Sequence, residues 1–491
     1  LRSCEVTWRH WLTDARTGLI IRPIDIPSFQ WEWTISDSSF TTTPQEKGSK
    51  NLGGDDTSSV TVPFSQFDHR DADGNLTIRA SQSEIASLLS MGRRGLLTTW
   101  AYPACADPKG DPLFWGVIGN PQDHWLDTTF PLSSIPDILA ERFAIRDGQY
   151  HDGRSTDTVT YSGLSQRGLA SELGSMATEQ KNGGMLPIDW TYRGEKAAPG
   201  YLWYEHTAWA DSDDGTKNFT VSYAAGRKYM GTCTDHSTAD PSTPSAYEWK
   251  SYDAKTVGRA NDGPTGRPAN TALQAWNVQN LMVRRMHEDI ANAGGGPDMT
   301  WAPYWADSQH VRMRFLAASD GDQYLETNHP PIVLTAGPRG GSLEKLVVDY
   351  APAIQRWYAT GAGADAATVT ALAEDMSQIT GSHDPPILRE AVFSDSDVTD
   401  WRELKRRAQG LLAANRLPLM QFTGTIHADD MRSDGLPAHP FGSFRPGEMF
   451  YIDIQGHRRL PDGRYTTRLM RMNGDQSGEA TCVFDAIPCP V

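Results

Sequence analysis

Phe29-Gln-Trp-Glu-Trp-Thr-Ile35 alternates apolar and polar residues without a slip. Phe29, Trp31, Trp33 and Ile35 fall on one side, Gln30, Glu32 and Thr34 on the other. A period of two puts one set on each face of an extended chain, so the stretch predicts a half-buried strand with an aromatic inner face. The surrounding sequence reads the same way. Val6, Trp8, Trp11 and Leu12 run into a turn at 14–18, followed by Leu19-Ile20-Ile21. Ser58-Ser-Val-Thr-Val-Pro63 is a further strand, and Pro63 marks its end or an edge. Leu96–Tyr102 and Leu113–Ile118 continue the pattern, the latter stopped by Gly119-Asn-Pro121. Short strands at this spacing predict a barrel or sandwich over the first ~130 residues.

Helical spacing then takes over. Leu169, Leu173 and Met176 predict a helix with Ser162 as its N-cap, and Gly183-Gly184 ends it. Residues 234–270 are rich in Pro, Ser, Thr, Asp and Gly and read as a long surface excursion. Leu273, Trp276, Met282, Met286 and Ile290 predict a helix from about Thr271 to Asn292, stopped at Gly294. A third is expected around Val369, Leu372 and Met376. A fourth is expected from Asp400 to about Arg416, with Trp401, Leu404, Leu411 and Leu412 on its packed face, set against a neighbouring barrel. Strands return at Val311–Leu316, at Pro331–Leu334 and from Leu419 onward, with Asp462-Gly463 as a hairpin turn. The expected class is multidomain α+β, with β-barrel domains at both ends and a helix-containing middle. The expected divisions are 1–130, an N-terminal barrel; 131–330, an inserted α+β domain; 331–400, a connecting α+β segment; and 401–491, a helix plus C-terminal barrel.

Composition narrows the function. The 491 residues carry 45 Lys+Arg and 61 Asp+Glu, and 45 − 61 gives −16. An acidic chain is ill suited to gripping nucleic acid or an anionic bilayer. No stretch reaches the ~18 apolar residues of a membrane helix. Arg2, Glu5, Arg9, Asp14, Arg16 and Arg22 interrupt any signal-peptide core. The five cysteines, at 4, 105, 233, 482 and 489, include no CxxC. Cys482 and Cys489 are close enough to bridge, but separate thiols in a last strand and tail are the expectation.

Candidate chemistry is sparse. Gly-rich 294–296 and 338–341 lack the Lys-Ser/Thr of a phosphate loop. Gly163-Leu-Ser165-Gln-Arg-Gly168 has one residue too many for a nucleophile elbow and reads as a helix start. His287-Glu288 lacks the second His of a zinc protease and reads as helix-surface charge. Asp71-Ala-Asp73-Gly74-Asn75 alternates oxygen ligands, but its twelfth position is Gln82, which cannot supply the bidentate carboxylate of a calcium loop. That turn and Asp211-Ser-Asp213-Asp214-Gly215 are expected to be solvated hairpin turns. Trp190, Trp203, Trp209 and Trp249 suggest either a sugar platform or, more simply, core and interface aromatics. Paired carboxylates for glycoside cleavage are not singled out by spacing. No catalytic, cofactor-binding or metal-ligating residue is therefore assigned.

Five segments, in order, resemble a known family. They are Ser165-Gln-Arg-Gly-Leu-Ala170 with Gly183-Gly-Met-Leu-Pro-Ile188; Gly295-Gly-Pro-Asp298 leading to Trp301; Tyr358-Ala-Thr-Gly361-Ala-Gly363; Ser396-Asp-Val-Thr-Asp400 before a helix; and Phe444-Arg-Pro-Gly-Glu-Met-Phe-Tyr-Ile452 with Leu460-Pro-Asp-Gly-Arg-Tyr465. The opening, Thr7-Trp8-Arg9 with Asp14-Ala-Arg16-Thr-Gly18, fits the same pattern. Together they resemble minor tail proteins of actinobacterial siphophages, the baseplate hub or tail-associated (gp27-like) proteins. The resemblance implies a structural protein of the virion tail tip with two β-barrel domains per subunit, three subunits forming a ring that closes or continues the tail tube. It implies a distal tail protein, a tape measure protein and other minor tail proteins as partners, with DNA passing through unbound during ejection. No lysin or receptor-binding module follows the last barrel in this sequence, so no enzymatic role is expected. The competing expectation is a cell-wall hydrolase or a carbohydrate-binding receptor protein.

Overall fold

The computed structural model describes residues 6–490, apart from 42–58, 72, 104, 154–156, 199–203, 223–225, 236, 238, 252–266, 269–272, 277–278, 292–295, 321, 326–328, 382, 397 and 399–400. The chain divides into two compact units: Leu1–Asn328 with Met431–Gly447, and His329–Asp430 with Glu448–Val491.

The first unit is built on a seven-stranded sheet. Its order is Gln122–Asp123, Asp127–Ser133, Asp111–Ile118, Arg94–Ala101, Thr7–Asp14 and Ile20–Ile24, with Ser59–Pro63 also paired to Asp127–Ser133. Every pairing is antiparallel. Arg94–Ala101 is buried on both faces from Gly95 to Ala101, so its apolar run needs no alternation. One layer against the sheet is aromatic. Trp8 lies opposite Trp100 in register, and Trp8, Trp31, Trp100 and Phe441 meet at centroid separations of 4.9–5.8 Å. Trp31 and Trp33 come from the predicted strand, observed as Gln30–Thr34 hairpinned to Ser38–Thr41, and both are buried. A second core joins Leu97 and Trp115 to the helices Ile135–Ala140, Gln166–Ala177 and Val283–Ala291 and to the strands Met299–Trp305 and Val311–Ala317.

The second unit has an open sheet in the order Ile332–Ala336, Met449–Ile454, Gly463–Asp475, Glu479–Phe484, Leu419–His427 and Glu344–Ala351. Only the first pair is parallel. The first and last strands meet at their turn, where Leu343 N–H donates to Thr335 O (2.9 Å). A separate three-stranded sheet, Thr370–Glu374, Arg356–Thr360 and Glu390–Ser394, carries the helix Trp401–Asn415 on one face.

These sheets correct the expectation of two full barrels. In the first unit no pairing among the described residues joins Gln122–Asp123 to Ile20–Ile24. The architecture is multidomain α+β with partial barrel sheets and helix-containing regions.

Four local expectations change as well. The helix expected from Thr271 is a strand at Leu273–Trp276, paired with Thr158–Tyr161, and a helix only at Val283–Ala291. Between them Asn280 takes φ +47°, a conformation no helix continues through. Val369, Leu372 and Met376 are not helical; Thr370–Glu374 is a strand whose inward residues are Ala371 and Ala373. Asp462-Gly463 is not a two-residue turn. It closes a longer loop, 455–462, where the Asp462 carboxylate accepts from Gly456 N–H (2.6 Å). The helix Trp401–Asn415 packs on the three-stranded sheet, not on a barrel. It buries Leu404 and Ala408, with Leu412 part-buried, and leaves Trp401 half exposed.

Candidate functional site

Two concavities are candidates, one in each unit. In the first unit, the turn at 34–37 is tied by Thr34 N–H to Asp37 O (2.9 Å) and by Asp37 N–H to Thr34 Oγ1 (3.1 Å). This presents the Asp37 carboxyl to a cavity of about 50 Å³ lined by Trp33, Ser134, Thr300, Trp301 and Arg445 among others. Ser134 caps the helix Ile135–Ala140 in a reciprocal box with Asp137, the Asp137 carboxylate accepting from Ser134 N–H (3.1 Å) and Oγ–H (2.9 Å). Arg284 donates to Asp137 (2.9 Å) and Glu288 (3.0 Å) and lies 4.0 Å from Asp37. Burial pushes the Asp37 carboxyl above its usual range, although a Ser134 hydrogen bond and Arg284 pull it back. The knot joins hairpin, helix cap and second helix. Its cavity holds one or two molecules the size of water, too small for a sugar or peptide.

The second concavity is open and far larger, about 620 Å³, a size that takes a ligand. The parallel strands Ile332–Ala336 and Met449–Ile454 deliver loops 337–343 and 455–462 to the same end of the sheet. Lys345, His457 and Arg458 line it with Glu344. Lys345 is paired with Glu479 (3.1 Å), and Glu344 lies 3.6 Å from His427. The His457 Nδ1 accepts from the Arg459 and Leu460 amides (3.2 and 3.0 Å), which orders the loop. The groove presents neither a hydroxyl or thiol beside a base nor two carboxylates facing one another.

The residues singled out by sequence do not converge. Ser165, not Ser162, caps Gln166–Ala177, accepting from Gly168 N–H (2.9 Å). His287 is not on the helix surface: it is buried among Trp190, Trp301 and Phe315, bonded to Ala170 O (2.9 Å). Burial holds it down to about 4. Trp190 and Trp209 are buried, Trp249 is half-buried against Gly215, and Trp203 lies outside the described residues. Asp71 accepts from the Asp73 and Asn75 amides (3.0 and 2.8 Å) within an exposed hairpin. Asp214 accepts from Ser212 Oγ (2.6 Å) and from Thr216 N–H and Oγ–H (3.0 and 2.8 Å); those bonds lower its carboxyl to about 2. Both carboxylates are thus occupied by their own turns. Cys482 is a buried free thiol, raised to about 12 by burial, and Cys489 is a separate free thiol. Of the 234–270 excursion, Tyr229–Asp235 and Glu248–Ser251 pair in a four-stranded sheet with Tyr204–Ala210 and Arg267–Pro268. Residues 252–266 lie outside the described residues. Among the described residues no three His, Cys, Asp or Glu side chains gather as a metal site, and no helix is long and apolar enough to cross a membrane.

No family model matches the chain, and no curated protein matches it. Several solved structures are similar over nearly the whole length. A tail protein from Neisseria meningitidis MC58 is 10% identical, with 97% of this chain and 96% of that one covered and a TM-score of 0.39. A 43 kDa tail protein of prophage MuSo2 from Shewanella oneidensis is 7% identical, with 98% of each covered and a TM-score of 0.42. Prophage tail protein gp18 from Listeria monocytogenes EGD-e is 9% identical, with 97% and 94% covered and a TM-score of 0.34. Superpositions at this level leave the fold to rest on the chain's own strand pairings.

Proposed function

We propose that this chain is a structural protein of a phage tail tip, a baseplate hub subunit that acts without catalysis. The observation that carries the reading is the ordered series of five family-like segments, several of which lie, among the described residues, at strand boundaries. Gly183–Ile188 leads into Ile188–Asp189, Gly296-Pro-Asp298 into Met299–Trp305, and Phe444–Ile452 into Met449–Ile454, which hairpins with Gly463–Asp475. The fates of the polar candidates support it too: Ser165, Asp71 and Asp214 are consumed by caps and turns.

In this reading 1–130 and 401–491 are the hub domains, 131–330 is inserted and 331–400 connects. Three copies form a ring that closes or continues the tail tube, held between a distal tail protein, a tape measure protein and other minor tail proteins. The net charge of −16 suits a conduit for DNA, because a negative wall repels phosphates. The test is immunogold labelling of purified particles. Label at the distal end of the tail is expected; label on the capsid, or none on particles, refutes the reading.

A further inference from the structure

We propose that the open face of the three-stranded sheet in the second unit is a self-association surface, covered by the same face of a second copy of this chain. Strand register fixes what this face presents. Arg356–Thr360 pairs antiparallel with Thr370–Glu374 and parallel with Glu390–Ser394. Trp357, Ala359, Ala371, Ala373 and Phe393 point into the core under the helix Trp401–Asn415. Alternate residues therefore face away from it, in three rows. The first is Glu374, Arg356, Glu390; the second Leu372, Tyr358, Val392; the third Thr370, Thr360, Ser394.

The middle row is apolar and exposed: Leu372 at 43%, Tyr358 at 42% and Val392 at 68%, with Ile387 at 75% just before the edge strand. The Tyr358 ring is held in place, its hydroxyl 3.1 Å from Glu390 and 3.4 Å from an Arg356 nitrogen. Arg356 is anchored to Glu374 and Glu390 (2.9 Å each), and Thr360 to Ser394 (2.7 Å). The surface is ordered before any partner arrives, which lowers the entropy cost of docking. The three side chains of its apolar row expose roughly 300 Å² together, a contiguous patch of the size a functional surface presents. With the flanking rows the face offers roughly 600 Å² per partner, the low end of a specific interface.

The row pattern selects the occupant. A two-fold axis along the apolar row sets Leu372 on Leu372, Tyr358 on Tyr358 and Val392 on Val392. The same axis sets the charged row of one copy over the hydroxyl row of the other, so no like charges meet. A two-fold along the strands would instead bring Arg356 onto Arg356 and Glu374 onto Glu390. The face is self-complementary in one orientation only, which is what an isologous contact demands, and two such sheets stack with strands aligned to about 30°.

The test uses the full chain. Sedimentation velocity over a concentration series should show a monomer–dimer equilibrium, and Val392→Asp should weaken it by roughly 100-fold, because each contact holds the substitution twice. Independently, Val392→Cys and Leu372→Cys should each oxidise to a covalent dimer that the unmodified chain does not form, whereas Thr360→Cys should not. A wild-type chain that stays monomeric at high concentration overturns the proposal. So does a dimer untouched by Val392→Asp, or equal cross-linking of Thr360→Cys. The contact does not depend on the ring: a chain that stays monomeric across the concentration series yet stands in three copies at the tail tip would reject this surface and leave the ring standing.

Discussion

Gly174→Ala sets two effects of opposite sign against one another at a single atom. Gly174 sits inside the helix Gln166–Ala177, where alanine is favoured over glycine by about 1 kcal/mol. A Cβ there would lie 2.1–2.4 Å from three ring carbons of Trp190, far inside van der Waals contact. Trp190 is buried and cannot swing outward freely. Its Nε1–H donates to Thr178 Oγ1 (2.9 Å), whose own proton goes to Gly174 O (2.8 Å). Moving the ring breaks this relay. Overpacking costs roughly 1–3 kcal/mol and the lost hydrogen bond about 1 kcal/mol. After the propensity gain, the variant should be about 1–3 kcal/mol less stable. Gly410→Ala is the matched control. Gly410 lies in the helix Trp401–Asn415, is exposed and has nothing within 4 Å of its would-be Cβ. There propensity acts alone, and the variant should gain about 0.5–1 kcal/mol. Urea denaturation followed by far-UV circular dichroism reads both. A Gly174→Ala protein as stable as the parent would refute the packing described around Trp190.

The remaining predictions address acid, metal and the last helix. Burial lowers His10 to about 3 and His287 to about 4, against about 6.5 in the unfolded chain. Their stabilisation is complete above pH 6.5 and is lost as pH falls from there through the folded values. Urea midpoints should therefore drop by the equivalent of about 2 kcal/mol per histidine at pH 5, and a flat profile from pH 7.5 to 5 would contradict the burial. Chelation by EDTA should leave the melting temperature unchanged, because Asp71 and Asp214 are held by their own turn amides; a fall of several degrees would mean a cation is bound. Leu404→Ala, at a fully buried position, should cost about 2–5 kcal/mol, and Trp401→Ala distinctly less; equal losses would place Trp401 in the core.

Legibility followed from how much of each element's environment is local. Phe29–Ile35 alternates because one face meets an aromatic layer, and the pattern carries that directly. Leu169, Leu173 and Met176 likewise mark a helix, although the small residues Gly168, Ala170, Ser171, Gly174, Ser175 and Ala177 bury most of its remaining circumference as well. The strand Thr370–Glu374 leaves no clear alternation because its inward residues are alanines, kept small by the helix lying on them, and the larger Leu372 on the open face completes a false helical period with Val369 and Met376. Leu273–Trp276 is a strand by virtue of Thr158–Tyr161, more than a hundred residues away, and no local pattern reports such a partner. The knot at Asp37, Asp137 and Arg284 is illegible locally for the same reason. Its one local trace is Ser134 three residues before Asp137, a capping signature that points to a helix start and not to the arginine 147 positions on. Nothing in the sequence separates Trp401 from Leu404, which share a stripe although Leu404 is fully buried and Trp401 half exposed.

Three copies of the chain at a single tail tip are what the account requires. Isolating tail tips from particles and weighing them intact by native mass spectrometry, with the chain's copy number read from its subunit mass, tests this most directly. Three copies per tip, retained with the tube end, is the predicted result; one copy per tip, or the chain's absence from purified tips, would contradict it.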